Sequence, residues 1–313
     1  MSYPLRVRST AERDLADVIQ WYHSHAEGVV DRTRFERGGP KKVWRKRDAC
    51  DMMARHRGPD ARTTMDPTNA VALVTGSSRG IGAATALALA RAGAHVGVNY
   101  QSNAAAANSV VEQIKAIGRK AIAVKADVSD GDQVRGLVAH VVSALGPIDI
   151  LINNAGGSIP GTIDQITEKA WWQGLAVHLD GPFHSTRAVV ESMKQRRRGV
   201  IVNLSSVAAL RGAPGNFAYQ TVKAAIQGFT RGLARDLAEF GIRVNCISPG
   251  LIDTDFHAAL PPEKKQLFCD LRVPLHRFGT PEEVADAILT LVQNDYVTGE
   301  NLTVDGGLTM RIA

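Results

Sequence analysis

Tyr219 and Lys223 stand four residues apart in a stretch with helical character, so both side chains fall on one helix face. A tyrosine with a pKa near ~10 is a poor base at neutral pH. An ammonium beside it favours the phenolate and lowers that value, while the protonated phenol can give its proton to a carbonyl oxygen. Taken alone, a Tyr-x-x-x-Lys pair is usually a surface accident. Ser206 changes its weight. It follows the run Val200-Ile201-Val202-Asn203-Leu204-Ser205, thirteen residues before Tyr219, which sets a hydroxyl at the carboxyl end of an expected strand. A hydroxyl there can hydrogen-bond a reacting carbonyl and stabilise the charge it develops. The ordinary alternative is a helix cap, and Ser205 is a rival for the role.

A second constellation is Thr75-Gly76-Ser77-Ser78-Arg79-Gly80-Ile81-Gly82, between the first apolar run and an Ala-rich helix. Glycines let the backbone turn sharply and approach a pyrophosphate, which rests on the N–H groups opening the helix. Placement after the first strand of a βαβ unit points to dinucleotide binding rather than a plain strand–helix turn. The second strand ends Val98-Asn99-Tyr100-Gln101-Ser102-Asn103, without the acidic residue that would hold a free ribose 2′-hydroxyl. Arg79 can pair with a 2′-phosphate, or it is merely solvated. NADP(H) is therefore expected ahead of NAD(H), with Gly76, Ser78, Arg79, Gly80, Ile81, Gly82 and Asn99 around it.

The Gly-x-x-x-Gly-x-Gly spacing resembles the short-chain dehydrogenase/reductase family, and the resemblance runs from about Ala70 to Gly307. It implies that Ser206, Tyr219 and Lys223 form the catalytic set, the thirteen-residue spacing selecting Ser206, and that Lys223 also holds the nicotinamide ribose. By the same resemblance, Asp127-Val128 contacts the adenine. In Asn153-Asn154-Ala155-Gly156, the residues nearest the cofactor are Asn154, Ala155 and Gly156. Pro249-Gly250-Leu251-Ile252-Asp253-Thr254 grips the carboxamide, mainly through Ile252 and Thr254. Val297 to Gly307 resembles the family's last strand and turn.

One position departs from the pattern. The family usually carries an Asn whose backbone holds a water linking the lysine to solvent, and His178 stands there. Either its carbonyl orients that water, which is the expectation, or the imidazole joins the relay and titrates near pH ~6.5. The nearest likeness within the family is to 3-oxoacyl carrier-protein reductases, which implies an acidic acyl carrier protein docked by surface arginines. Arg196-Arg197-Arg198 offers such a cluster or is a solvated turn. Arg197 matches one docking position, and Phe240 stands at a second. A sugar or polyol dehydrogenase and a general carbonyl reductase stay open, as does a cofactor-binding regulator without turnover.

The elements that must position these residues alternate. Strands are expected over Val71–Thr75, Ala94–Asn99, Ala121–Lys125, Ile148–Ile152, Val200–Leu204, Arg243–Ile247 and Leu302–Val304. Helices fall over Ile81–Ala92, Ala104–Ile117, Asp132–Leu145, one helix around Ala170–Gln195, Tyr219–Phe240 and Pro281–Gln293. Apolar strands alternating with helices predict an α/β, doubly wound parallel sheet with helices on both faces. Its ligand belongs at the carboxyl ends of the strands. Leu251–Phe278, with Pro261-Pro262, reads as a lid over the substrate, with Leu210, Phe217 and Phe268 as apolar contacts or core.

The chain is 313 residues long, 44% apolar and 22% charged, which suits a folded water-soluble protein. Three scattered cysteines, Cys50, Cys246 and Cys269, suggest neither a disulfide framework nor a zinc site, and a cytoplasmic setting follows. Residues 1–66 carry 14 of the 37 Lys/Arg and 10 of the 31 Asp/Glu, hence four of the six net positive charges. The basic balance is thus weak ground for nucleic-acid binding, and no apolar run suits a membrane. Residues 1–66 read as a poorly ordered extension and 67–313 as the cofactor-binding domain. Tyr3–Tyr22 resembles the opening of a RelE/ParE-type toxin, and Met65 is a candidate native start. Membership of the dehydrogenase family would imply a homodimer or homotetramer.

Overall fold

The computed structural model describes residues 65–257 and 261–310. The expectations for residues 1–64 lie outside them. By its internal contacts the chain divides into Met1–Ala61 and Arg62–Ala313, and all that follows concerns the second unit.

Seven strands form one sheet: β1 (Val71–Val74), β2 (His95–Tyr100), β3 (Ala121–Lys125), β4 (Ile150–Asn153), β5 (Gly199–Leu204), β6 (Ile242–Pro249) and β7 (Asn301–Val304). Every pairing is parallel and the order is β3-β2-β1-β4-β5-β6-β7. Strand parity makes two cores. Ala72, Val74, Ile150, Ile152, Val200 and Val202 face one layer, while Val71, Leu73, Leu151 and Ile201 face the other. The first face is covered by α1 (Gly80–Arg91), α2 (Ala104–Ala116) and α8 (Pro281–Gln293). The second is covered by α3 (Gly131–Leu145), α5 (Gly181–Arg196) and α6 (Phe217–Leu237). Burial on both faces is why these strands read as continuous apolar runs. Ala84 and Ala88 of α1 pack on Ala285 of α8, small side chains that let the two helices lie close.

The expected single helix over Ala170–Gln195 is three pieces: α4 (Glu168–Leu175), a π turn at Ala176–Asp180 and α5. The wider turn is closed by the Gly181 N–H on the Ala176 carbonyl. Pro182 lacks the N–H that would bond the His178 carbonyl in an α-helix, which weakens regular winding at that point. The lid segment contains a further helix, α7 (Pro262–Arg272), that the sequence pattern did not reveal. Strand order reverses between β1 and β4, so the crevice beyond their carboxyl ends is the natural ligand position. No helix among the described residues is long and apolar enough to cross a membrane.

Candidate active site

The loop after β1 and the start of helix α6 both lie toward the carboxyl edge of the sheet, the loop after β4 and His178 standing between them. Gly76 and Gly80 take left-handed conformations, φ +61° and +55°. A Cβ on Gly76 would come 2.8 Å from Ala155 Cα, and one on Gly82 2.5 Å from Asn154 Nδ2, so side chains have no room there. Asn154 Nδ2 donates to the carbonyls of Thr75 (2.8 Å) and Gly76 (3.0 Å). Thr75 Oγ1 accepts from the N–H groups of Asn154 and Ala155, a clip absent from the sequence reading although Thr75 directly precedes the first glycine. Ser78 and Ile81 are half-buried in the same turn, Ile81 packing against the core. Helix α1 begins with no side-chain cap and no acid in its first turn. Its opening N–H groups are therefore suited to an anionic ligand.

Asn99 differs from expectation. It is buried at the end of β2, where its Oδ1 accepts the Gly76 N–H (3.0 Å) and its Nδ2 donates to the Ala126 carbonyl (3.1 Å). It shapes the turn from behind. Asp127 receives Gln101 Nε2 at 2.7 Å and both the N–H and hydroxyl of Ser129. Burial favours the neutral acid, but these bonds prevail and hold its carboxyl below the usual range. Val128 is buried beside Gly181. Pro249 ends β6, and Gly250 lies so close to Asp305 that a Cβ would stand 2.7 Å from its Cα. Ile252 turns its side chain into the core, and its neighbours Leu251 and Asp253 make the backbone bonds to Gly279. Thr254 rests on Gly80, 3.4 Å from the position of a Cβ there.

Ser206 stands two residues beyond β5 and caps the 3-10 turn Val207–Ala209, its hydroxyl accepting the Ala208 N–H (3.1 Å). The same hydroxyl is close enough to the Tyr219 phenol to favour its ionised form. Ser205 is committed elsewhere: it donates to the Lys223 carbonyl (2.7 Å) and accepts from Gln227 (3.3 Å), tying β5 to α6. Lys223 Nζ donates to the Leu204 carbonyl (2.8 Å) and stands 5.6 Å from the Tyr219 ring centroid. Burial pushes the Tyr219 phenol up, the Ser206 hydroxyl opposing it. Burial draws Lys223 down to about 8, with Cys246 beneath it acting the other way.

His178 lies in the π turn, buried, with its ring edge-on to Tyr219 at 5.6 Å. Its Nε2 meets the Gly157 carbonyl at 2.9 Å, and Nδ1 has no hydrogen-bond partner. Burial first, and Lys223 second, bring it down to about 3 against the opposing Gly157 bond. A titration near pH 6.5 is therefore not a property of this imidazole.

Around this core, Phe256 covers Tyr219 at 6.0 Å, a contact missed because nothing in the lid sequence fixes its register. Phe217 stacks on Trp171 (6.0 Å) behind the tyrosine, Phe268 lies under Arg272, and Leu210 lines a cavity of about 590 Å³ with Arg211, Gly212 and Thr309. Arg196 and Arg198 are engaged by Asp149, while Arg197 is exposed. Arg196 pairs with Asp149 and the Ile148 carbonyl, Arg198 pairs with Asp149 (3.3 Å), and Arg197 donates to the Glu239 carbonyl. Phe240 packs on the second core under Lys194. These groups flank the amino ends of β4 and β5, a strand length of about 20 Å from Ser206. A carrier docked on them would not face this chain's own tyrosine.

The family model described as enoyl-(acyl carrier protein) reductase matches residues 76–309. A 3-oxoacyl-[acyl-carrier-protein] reductase of Synechocystis is 42% identical over 246 residues, 78% of this chain and 98% of that protein. One of Staphylococcus epidermidis is 38% identical over 244 residues, 77% and 100% of the two chains. Among solved structures, a blue fluorescent protein from a metagenomic library in complex with NADPH is 38% identical with a TM-score of 0.73, covering 78% of this chain and 99% of that one. A gluconate 5-dehydrogenase from Burkholderia cenocepacia in complex with NADP and tartrate is 33% identical with a TM-score of 0.74, covering 79% and 99%.

Proposed function

The chain belongs to the short-chain dehydrogenase/reductase family, and from that premise we propose that it is an NADP(H)-dependent oxidoreductase interconverting a ketone and a secondary alcohol, with 3-oxoacyl thioesters as its substrate class. The observation that carries the reading is the meeting of Tyr219, Ser206 and Lys223 beside the glycine turn at the strand-order reversal. The residues fit the cofactor. The left-handed Gly76 and Gly80 and the uncapped start of α1 make an anion cradle, and exposed Arg79 faces no acid at the end of β2. When bound there, NADPH supplies the hydride.

The chain's own groups manage the proton. Tyr219, held in its protonated form by burial, gives its proton to the carbonyl oxygen, and Ser206 donates a hydrogen bond to the same oxygen. Lys223 holds the ribose and keeps a positive charge near the phenol as it ionises. His178 stays neutral and acts through the backbone of the π turn, whose irregular winding leaves a carbonyl to orient a water beside Lys223. The rings of Phe256, Phe217 and Trp171 near Tyr219 favour an acyl chain or simple ketone over a polyol. A carrier-borne thioester is the first substrate to test, because both curated relatives carry that name.

The test is NADPH oxidation with matched panels of 3-oxoacyl thioesters, small ketones and sugars. The thioesters should give the highest kcat/KM. A higher value for sugars moves the reading to a polyol dehydrogenase, and no turnover with any carbonyl leaves a cofactor-binding regulator.

A further inference from the structure

We propose that Asp255 is a built-in competitor for the cofactor's 2′-phosphate, and so sets how strongly this protein prefers NADPH over NADH. The inference rests on the NADP(H) reading above. Arg79, the group expected to pair with that phosphate, pairs with Asp255 at 3.1 Å. Both side chains are largely exposed, 73% and 68%. A pair so exposed to water is weak, so an incoming phosphate can displace it. The neighbouring carboxylate does not share the role, because Asp253 pairs with Lys265 at 3.2 Å.

The position of Asp255 gives the competition its reach. Three consecutive residues touch three parts of the site: Thr254 lies on Gly80 of the glycine turn, Asp255 on Arg79, and Phe256 against the Tyr219 ring. A phosphate carrying between one and two negative charges would take the guanidinium in a charge-assisted, two-pronged contact. It would also leave the Asp255 carboxylate facing a like charge. NADPH binding thus works against two terms that NADH, with a free 2′-hydroxyl, does not meet.

Binding is measured directly, by titrating NADPH and NADH separately into the full chain at low and high salt. Asp255→Asn keeps the shape and removes the charge. It should tighten NADPH about fivefold at low salt, or ~1 kcal/mol at 1.4 kcal/mol per tenfold. NADH should change by less than twofold, and raising the salt should shrink the NADPH effect. In an Arg79→Ala background the same substitution should tighten NADPH by a smaller factor, because only the repulsion between carboxylate and phosphate is left to relieve. Unchanged or weaker NADPH binding in Asp255→Asn, or an equal shift for both cofactors, overturns the proposal. Arg79→Ala alone separates the two levels of the argument. If it leaves the NADPH-to-NADH ratio of the unmutated chain intact, the cofactor reading itself has failed.

Discussion

Burial, rather than pairing, sets the protonation states at this site. Tyr219 is kept in its acid form, Lys223 is drawn down to about 8 and His178 to about 3. Lys223 therefore loses its charge as pH rises past about 8, and kcat/KM for carbonyl reduction should fall there; a flat profile up to pH 10 would deny the lysine its role. His178 makes the opposite kind of prediction. Its folded value lies below the ordinary 6.5, so the unfolded chain takes up the proton first. Stability gained by burying it neutral is present above pH ~6.5 and is lost as pH falls toward about 3, at up to ~1.4 kcal/mol per pH unit. Denaturant unfolding from pH 7 to 5 should show that slope, and His178→Asn should flatten it. The kcat–pH profile should show no limb near 6.5, and His178→Asn should stay within about tenfold of the parent rate. A loss of several hundredfold, with a pH limb that vanishes in the variant, would instead make the imidazole part of the relay. The reacting triad was legible because its chemistry depends on residue type and spacing. The inward set of Asn99 and Ile252 was not, because which way a side chain faces at a strand end depends on neighbours far off in sequence.

At the scale of elements, the π turn is the feature that periodicity could not supply. Hydrophobic spacing from Ala170 to Gln195 fits one helix, and one extra residue in a turn alters spacing too little to be read. Only Gly181-Pro182 hints at the break. The turn brings His178 under the loop after β4, where Gly156 makes room for it. A Cβ on Gly156 would stand 2.5 Å from His178 Cε1 and 2.8 Å from its Nδ1. Since the ring is buried, it has nowhere to retreat. Gly156→Ala should therefore destabilise the protein by about 1–3 kcal/mol and lower kcat, read by denaturant unfolding and steady-state rates. Wild-type stability in that variant would show that the ring is not wedged against the loop. Strand and helix identities were otherwise readable to within about three residues, because parallel strands covered on both faces carry long apolar runs. The register of α7 and of Phe256 was not, since Leu251–Phe278 has no period to follow.

For the molecule as a whole, the seven-stranded sheet and both of its cores lie within residues 65–310, and β1 has partners on both sides, β2 and β4. Deleting residues 1–64 should leave a folded protein with NADPH affinity within about twofold of the full chain. Loss of cooperative unfolding on truncation would make that segment part of the fold. Charge gave less guidance at this scale than shape did. The arginines suggested a docking surface from sequence, but Arg196 and Arg198 are spent on Asp149 at the far edge of the sheet. What joins all three scales is the claim that one phenol, set at the carboxyl edge of the sheet, supplies the proton for reduction by NADPH. Tyr219→Phe removes that proton and little else. Its NADPH dissociation constant and its rate of NADPH oxidation with a 3-oxoacyl thioester should be measured side by side. The account predicts binding within about threefold of the parent and a rate at least a thousandfold lower, ~4 kcal/mol of barrier; turnover at the parent rate would contradict it.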